Sequence, residues 1–273
     1  MLKIIQQNEQ LSIYFKDELI IHHTTKEPSF FVGEGKETID SYRGNFAIDD
    51  YIKTRIPLSQ IEVNEHMIIF SHDDIQLTLS LSVEEHRLIG KFSLNKPMNR
   101  FWFRLYAEKE EFVYGCGEQS SYFNLRGRDF PLFTSESGVG RDPNSLTTFY
   151  ANLKDKAGGY YYSTYYPETS FVSSRKYWFH LDTYAYSIFN FKHANFHEFL
   201  TWEIPKGFIL SKKNHYTELL TDLTDVTGRP PLLPDYLLDG MVLGVQGGLD
   251  QVLSYLKQAK DKGVNVSGLW CQD

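Results

Sequence analysis

RPPLLPDYLLDGMVLGVQGGLDQVLSYLKQAKDKGVNVSGLWCQD, residues 229–273, is the stretch that decides the fold. Met241 to Val245 is a short apolar run, and Val264 to Trp270 is a second one. Between them Leu249, Val252, Leu253, Leu256 and Ala259 fall on one face of a helix over 249–262, which Gly263 closes. Strand, helix and strand in so short a span form a βαβ unit, whose two strands are parallel and whose crossover is right-handed. Two parallel strands make no stable sheet alone, and a parallel sheet needs both faces covered. A complete (β/α)8 barrel takes about 250 residues, whereas roughly 40 follow Pro234. The expectation is a barrel that has only begun, at residues 233–273, in a chain that is a fragment of a longer protein.

Upstream of this stretch the period changes. Tyr216, Leu219, Leu220, Leu223 and Val226 mark one helical face, and Gly228, Pro230 and Pro231 stop it. GRPPLLP is therefore the expected domain boundary. Before residue 215 the chain reads almost entirely as strands. Leu11, Ile13 and Phe15 alternate with polar residues up to a turn at Lys16 and Asp17, and Leu19 to Ile21 returns as a hairpin. Ile75, Leu77, Leu79 and Leu81 alternate strictly, as do Phe101, Phe103, Leu105 and Ala107, so each segment has one buried face. Tyr160 to Tyr166, Tyr177 to His180 and Ile188 to Phe191 read as further strands. Many short strands with no helical pattern between them predict a large β-sandwich over residues 1–232. Of 42 aromatic residues, 27 lie between positions 101 and 200. That sandwich is built from rings.

Composition excludes several classes. Net charge is −7 over 273 residues and the pI is near 5.7, so no basic stripe is available for nucleic acid. The N-terminus carries no signal-peptide pattern, and no window approaches 18 uninterrupted apolar residues. Cys116 and Cys271, the two cysteines, form neither a disulfide framework nor a zinc pair. A cytoplasmic protein without metal, cofactor or membrane partner is expected; oligomeric state is not legible.

In parallel α/β architectures functional residues gather at the C-terminal ends of strands. Here the first strand ends in Gln246, Gly247 and Gly248, and the second in Trp270, Cys271, Gln272 and Asp273. Carboxamides, a carboxylate and an indole suit the alternating hydroxyls and CH faces of a sugar ring. The competing reading makes the glutamines ordinary loop polars and Trp270 a core residue. YGCGEQSSYFNLRGRDFPLFTSESGVGR, residues 114–141, reads as a long loop too aromatic for disorder, either functional or a structural hairpin. It completes no phosphate-binding motif. Cys116 reads as a structural thiol. His193 and His197, four apart, lie among strands and turns where that spacing does not converge on a metal, and the adjacent His22 and His23 face opposite ways.

The segments GCGEQSSYFNLRGRDFPLFTSESGVGR, RPPLLPDYLLDGMVLGVQGG and GVNVSGLWCQD, with YRGNF at 42–46, resemble glycoside hydrolase family 31, and within it the sulfoquinovosidase branch of α-glycosidases. The resemblance implies a galactose-mutarotase-like β-sandwich followed by a (β/α)8 catalytic barrel, and retaining exo-hydrolysis by two Asp residues, one nucleophile and one acid/base. Both belong to later barrel strands, so no catalytic residue is assigned in this chain. Substrate-binding roles carry over to Gln246 and Gln272, to Asp273 on the same rim, and to Glu118 in the loop that this family projects from its sandwich. The implied partner is a carbohydrate, a sulfonated α-glycoside in the first instance. A neutral α-glucosidase or α-xylosidase of the same family, or a non-catalytic carbohydrate-binding sandwich, remain the alternatives.

Overall fold

The computed structural model describes residues 1–42 and 44–272, without the side chains of Asp155 and Gln272. Alternating apolar and polar positions become strands through most of the first 212 residues. β1 (Leu2–Gln7), β2 (Gln10–Phe15) and β3 (Glu18–Thr24) form a three-stranded sheet. Lys16 and Asp17 turn the expected hairpin with φ of 48° and 63°, the left-handed pair whose twist matches the flanking strands. β4 (Phe30–Tyr42) and β5 (Asn45–Pro57) make one long hairpin. β6 (Gln60–Asn64), β7 (Met67–His72), β8 (Ile75–Glu84) and β9 (Arg87–Leu94) follow as a meander of adjacent antiparallel neighbours. Its turns again carry left-handed residues at Glu65, Asp73, Glu85 and His86.

The next elements are β10 (Arg100–Tyr106), β11 (Val113–Gly117), β12 (Asp129–Leu132) and a helix, α1 (Leu146–Asp155). β13 (Pro167–Ser173), β14 (Tyr177–Asp182), β15 (Ser187–Asn190), β16 (Phe196–Thr201) and β17 (Gly207–Lys212) complete the sheets. α2 (Tyr216–Thr227), β18 (Met241–Gln246), α3 (Gly248–Asp261) and β19 (Val266–Gln272) come last.

Two large antiparallel sheets share one core: a six-stranded sheet ordered β12-β15-β16-β10-β4-β5 and an eight-stranded sheet ordered β11-β13-β14-β17-β9-β8-β7-β6. Rings join them face to face. Phe30 on β4 lies 4.5 Å from Phe70 on β7, Phe103 on β10 lies 5.5 Å from Phe208 on β17, and Phe179 on β14 stacks on Phe199 of β16 at 5.0 Å. Burying each such side chain stabilises by roughly 1.5–3 kcal/mol, which explains the concentration of aromatics in the middle of the chain. β8 buries Ile75, Leu77, Leu79 and Leu81 and leaves Gln76 and Ser80 exposed, as its alternation requires. β10 departs from the one-faced expectation, because Arg100 and Trp102 are buried as well as Phe101 and Phe103. Their side of the strand lies beneath a ladder of cations, rings and carboxylates: Arg100 is paired with Asp50 and Glu37, and Arg55 sits 5.0 Å from the Trp102 ring.

Two sequence expectations fail between β12 and β13. The segment Tyr160 to Tyr166 is not a strand; apart from an isolated bridge at Thr164 it is turns and coil, and β13 begins at Pro167. The region is also not free of helix, since α1 occupies Leu146–Asp155. Ser145 caps α1 by accepting from the Thr148 amide at 3.1 Å, and Lys156 closes it in the left-handed region at φ 51°.

The chain divides into two compact units, Met1–Leu223 and Thr224–Asp273. In the first, the helical residues up to Leu223 bury Leu219 and Asp222 rather than the whole apolar face expected of them, and Leu220 stays 53% exposed. Asp222 accepts from the Trp178 indole at 2.9 Å and from Arg87 Nε at 3.0 Å, so a polar anchor holds the helix. In the second unit β18 and β19 are parallel and joined through α3, as the opening stretch predicts.

Candidate functional site

The strand ends of the second unit are set by register. Parallel pairing places Gly244 beside Trp270, Val245 beside Cys271 and Gln246 beside Gln272. The chain then turns sharply into α3 through Gly247 at φ 104° and Gly248 at φ 80°, a conformation that side chains with a Cβ rarely adopt. Gln246 is exposed at the rim of an open cavity of about 790 Å³ that Gln251 and Tyr255 of α3 also line. Trp270 is 63% exposed in this chain. Asp273 and the Gln272 side chain lie outside the described residues. The rim presents a carboxamide, able to donate and accept, beside a flat apolar indole.

Glu118 belongs to the first unit. Gly115, Cys116 and Gly117 are consecutively left-handed, with φ of 120°, 59° and 79°. A Cβ at Gly117 would stand 2.0 Å from the Tyr166 carbonyl oxygen, so only glycine lets β11 approach β13 there. The Glu118 amide donates to that same carbonyl at 2.8 Å, which fixes the backbone while the carboxylate stays exposed. Cys116 is fully buried and its burial pushes the thiol pKa up, so it is a packing residue.

Downstream, Arg126 holds the loop. Its guanidinium donates to the carbonyls of Glu108 (3.0 Å), Glu111 (3.2 Å), Phe191 (2.9 Å), His193 (2.6 Å) and Ala194 (3.0 Å). Arg128 stacks 3.6 Å from the Tyr122 ring centre, and Tyr161 donates to the Asp129 carbonyl at 2.6 Å. Glu136 donates its amide to the Gly44 carbonyl at 2.8 Å, joining the 114–141 segment to the hairpin that ends in YRGNF.

A buried ionic cluster escaped the sequence reading. Glu111, with no side-chain exposure, accepts from Ser173 at 2.5 Å and Tyr177 at 2.7 Å, and His197 Nε2 lies 3.2 Å away. Burial works to raise the Glu111 pKa, but the His197 imidazole and the two hydroxyls hold it down at about 2. Burial lowers the pKa of His197 against the pull of Glu111, and its ring packs edge-on to Phe171 and Phe191. His193 stacks on Phe196 instead. Among the described residues no group of three or more His, Cys, Asp or Glu is placed to hold a metal. No single-sequence signal marks Glu111, since its partners come from β13, β14 and β16.

Layered antiparallel sheets followed by a parallel strand–helix–strand unit define the class of fold, and the relatives give it a particular form. The chain is 40% identical over 275 aligned residues to the sulfoquinovosidase of Escherichia coli (strain K12), covering 98% of this chain and 41% of that protein. It is 40% identical to the sulfoquinovosidase of Agrobacterium fabrum, covering 96% of this chain and 39% of that protein. A GH31 family sulfoquinovosidase from E. rectale, solved with the aza-sugar inhibitor IFGSQ, superposes with a TM-score of 0.89 at 40% identity, over 99% of this chain and 41% of that one. No protein-family model matches the chain. The resemblance to the sulfoquinovosidases of glycoside hydrolase family 31 is thus borne out over nearly the whole chain, which spans about two fifths of the length of these relatives.

Proposed function

We propose that this chain is the N-terminal part of a retaining exo-α-glycosidase that hydrolyses α-sulfoquinovosides in the cytoplasm. Gln246 and Gln272, paired in register at the ends of two parallel strands, carry the reading, within a chain 40% identical throughout to proteins named for that reaction. Residues 1–232 form the β-sandwich and 233–273 open the (β/α)8 barrel; Gln246, Gln272, Asp273 and Glu118 bind sugar hydroxyls. Neither carboxylate of the two-Asp double displacement is among these residues, so the 273-residue chain alone hydrolyses nothing. Two free cysteines, one buried and one exposed, suit a reducing compartment.

The test is hydrolysis of 4-nitrophenyl α-sulfoquinovoside and 4-nitrophenyl α-glucoside by the protein that carries this chain. Faster turnover of the glucoside refutes the sulfoquinovoside reading in favour of a neutral α-glucosidase. Gln246→Ala is expected to lower kcat/KM at least roughly tenfold, the loss of one hydrogen bond to a substrate hydroxyl; an unchanged kcat/KM removes Gln246 from the site. Turnover by the isolated 273-residue chain would overturn the assignment of catalysis to residues outside it.

A further inference from the structure

The first unit holds a second cavity, of about 380 Å³, where the far end of the β4–β5 hairpin meets the segment around Phe133 and the residues after α1. Its walls are aromatic. Tyr160 and Tyr162 stack parallel, with ring centres 5.2 Å apart and planes within 4°, and Phe133 lies 4.9 Å from Phe46 and 6.1 Å from Tyr186. None of these contacts belongs to the stack of rings between the two large sheets. The phenol oxygens of Tyr162 and Tyr186 have no hydrogen-bond partner among the described residues, although burial raises the pKa of both, that of Tyr162 to about 12. Both residues are half-buried, so their phenol oxygens can still donate to and accept from a ligand in the cleft.

Charge narrows the occupant. Lys156 and Asp40 both line the cavity, and they are paired with each other at 3.3 Å. Among the described residues the walls therefore offer rings, hydroxyls and the amides of Asn45 and Asn152, but no unpaired charge. Stacked rings favour the CH face of a pyranose, and unpartnered phenols favour its hydroxyls. The volume lies at the lower end of the range of about 300–1,000 Å³ for ligand pockets, which suits one neutral sugar ring.

From this arrangement we infer that the cleft between the β4–β5 hairpin and Tyr160, Tyr162 and Tyr186 binds a neutral hexopyranoside. This binding does not rest on the glycosidase reading: it requires no turnover and selects an uncharged sugar.

The test is calorimetric titration of the 273-residue chain with methyl α-D-glucopyranoside and, in parallel, with methyl α-sulfoquinovoside. Saturable binding of the neutral glycoside is expected, weakened roughly tenfold by Tyr160→Ala and several-fold by Tyr186→Phe. Tyr186→Phe deletes one oxygen and keeps the ring, so an unchanged circular dichroism spectrum separates lost binding from lost folding. Absence of saturable binding, equal or tighter binding of the sulfonated sugar, or indifference to Tyr186→Phe would overturn the inference. Abolition of the binding by Gln246→Ala would also overturn it, since the sugar would then sit at the strand ends of the other unit.

Discussion

Replacing Arg126 by Met is expected to remove most of what holds the 114–128 segment to the sheets. Met keeps much of the aliphatic stem, so the perturbation is chiefly the loss of five donated hydrogen bonds. Two of the five carbonyls keep another donor: Glu108 accepts from the Glu111 amide at 3.1 Å, and Phe191 from the Gly127 amide at 3.0 Å. The carbonyls of Glu111, His193 and Ala194 lose their guanidinium donor. Of these, the Glu111 and His193 carbonyls are partly buried and that of Ala194 is open to water; a partly buried acceptor stripped of its partner costs about 1–1.5 kcal/mol, which gives a loss of about 2–3 kcal/mol against a total stability of about 5–15 kcal/mol. For a unit of this size each kcal/mol moves Tm by about 2–4 °C, so the midpoint should fall by about 4–12 °C. Urea unfolding followed by tryptophan fluorescence measures it directly. Arg128→Met is the control, because Arg128 donates to the backbone at 3.3 Å and otherwise stacks on Tyr122; its expected loss stays below about 1 kcal/mol. If the two variants melt together, or if Arg126→Met costs less than about 1 kcal/mol, the guanidinium does not organise this loop.

Three further outcomes are expected. Glu111 titrates near 2 in the fold against an ordinary 4.5, so its contribution is complete above about pH 4.5 and is lost as pH falls towards 2; Glu111→Gln should lower stability at pH 7 and flatten that acid limb in pH-dependent urea melts. Burial takes His23 down to about 4 from an ordinary 6.5, and its Nδ1 accepts from the Ser29 amide at 3.1 Å. A neutral imidazole is thus required, and stability that is complete above pH 6.5 should decline as pH falls through 4; a slope there that His23→Gln leaves intact would count against it. Gly90→Ala would put a Cβ 2.2 Å from Phe208 Cε1, a ring fixed by Phe92, Phe103 and Phe179, and is expected to cost about 1–3 kcal/mol, recovered in part by adding Phe208→Leu.

Legibility followed the range of the interactions. The Lys16–Asp17 hairpin, the alternation of β8 and the strand–helix–strand after Gly240 were all visible, because each depends on neighbours within a few residues. α1 carried a signal of its own, Leu146, Phe149, Tyr150 and Leu153 at helical spacing, but these residues are more than half exposed and stand among aromatics that favour strands. The tyrosines at 160–166 carry high β-propensity, yet two glycines precede them and their rings line a cleft rather than a sheet. Gln246 and Trp270 could be placed because strand ends are readable from periodicity. Glu111, Arg126 and Asp222 could not, since their partners come from elements far apart in sequence and only the folded chain assembles them. The second aromatic cleft was hidden for the same reason: the hairpin residues 40–48 and the residues after α1 meet only across the fold.

The β6–β9 meander has a bearing on the order of assembly. Its four strands are consecutive and joined by tight left-handed turns, so each pairing closes a short loop at low entropic cost. The six-stranded sheet instead joins β4 to β10 and β10 to β16, bringing Phe30 to Phe103 and Phe103 to Phe199 across long intervening chain. Such non-local closure is slow. The meander should therefore form first and offer Leu77, Leu79 and Leu88 as the surface on which the later strands collect. Pulse-labelled hydrogen exchange during refolding would then find the amides of 67–94 protected before those of 187–201, and the reverse order would mean that the rings, not the turns, start the fold.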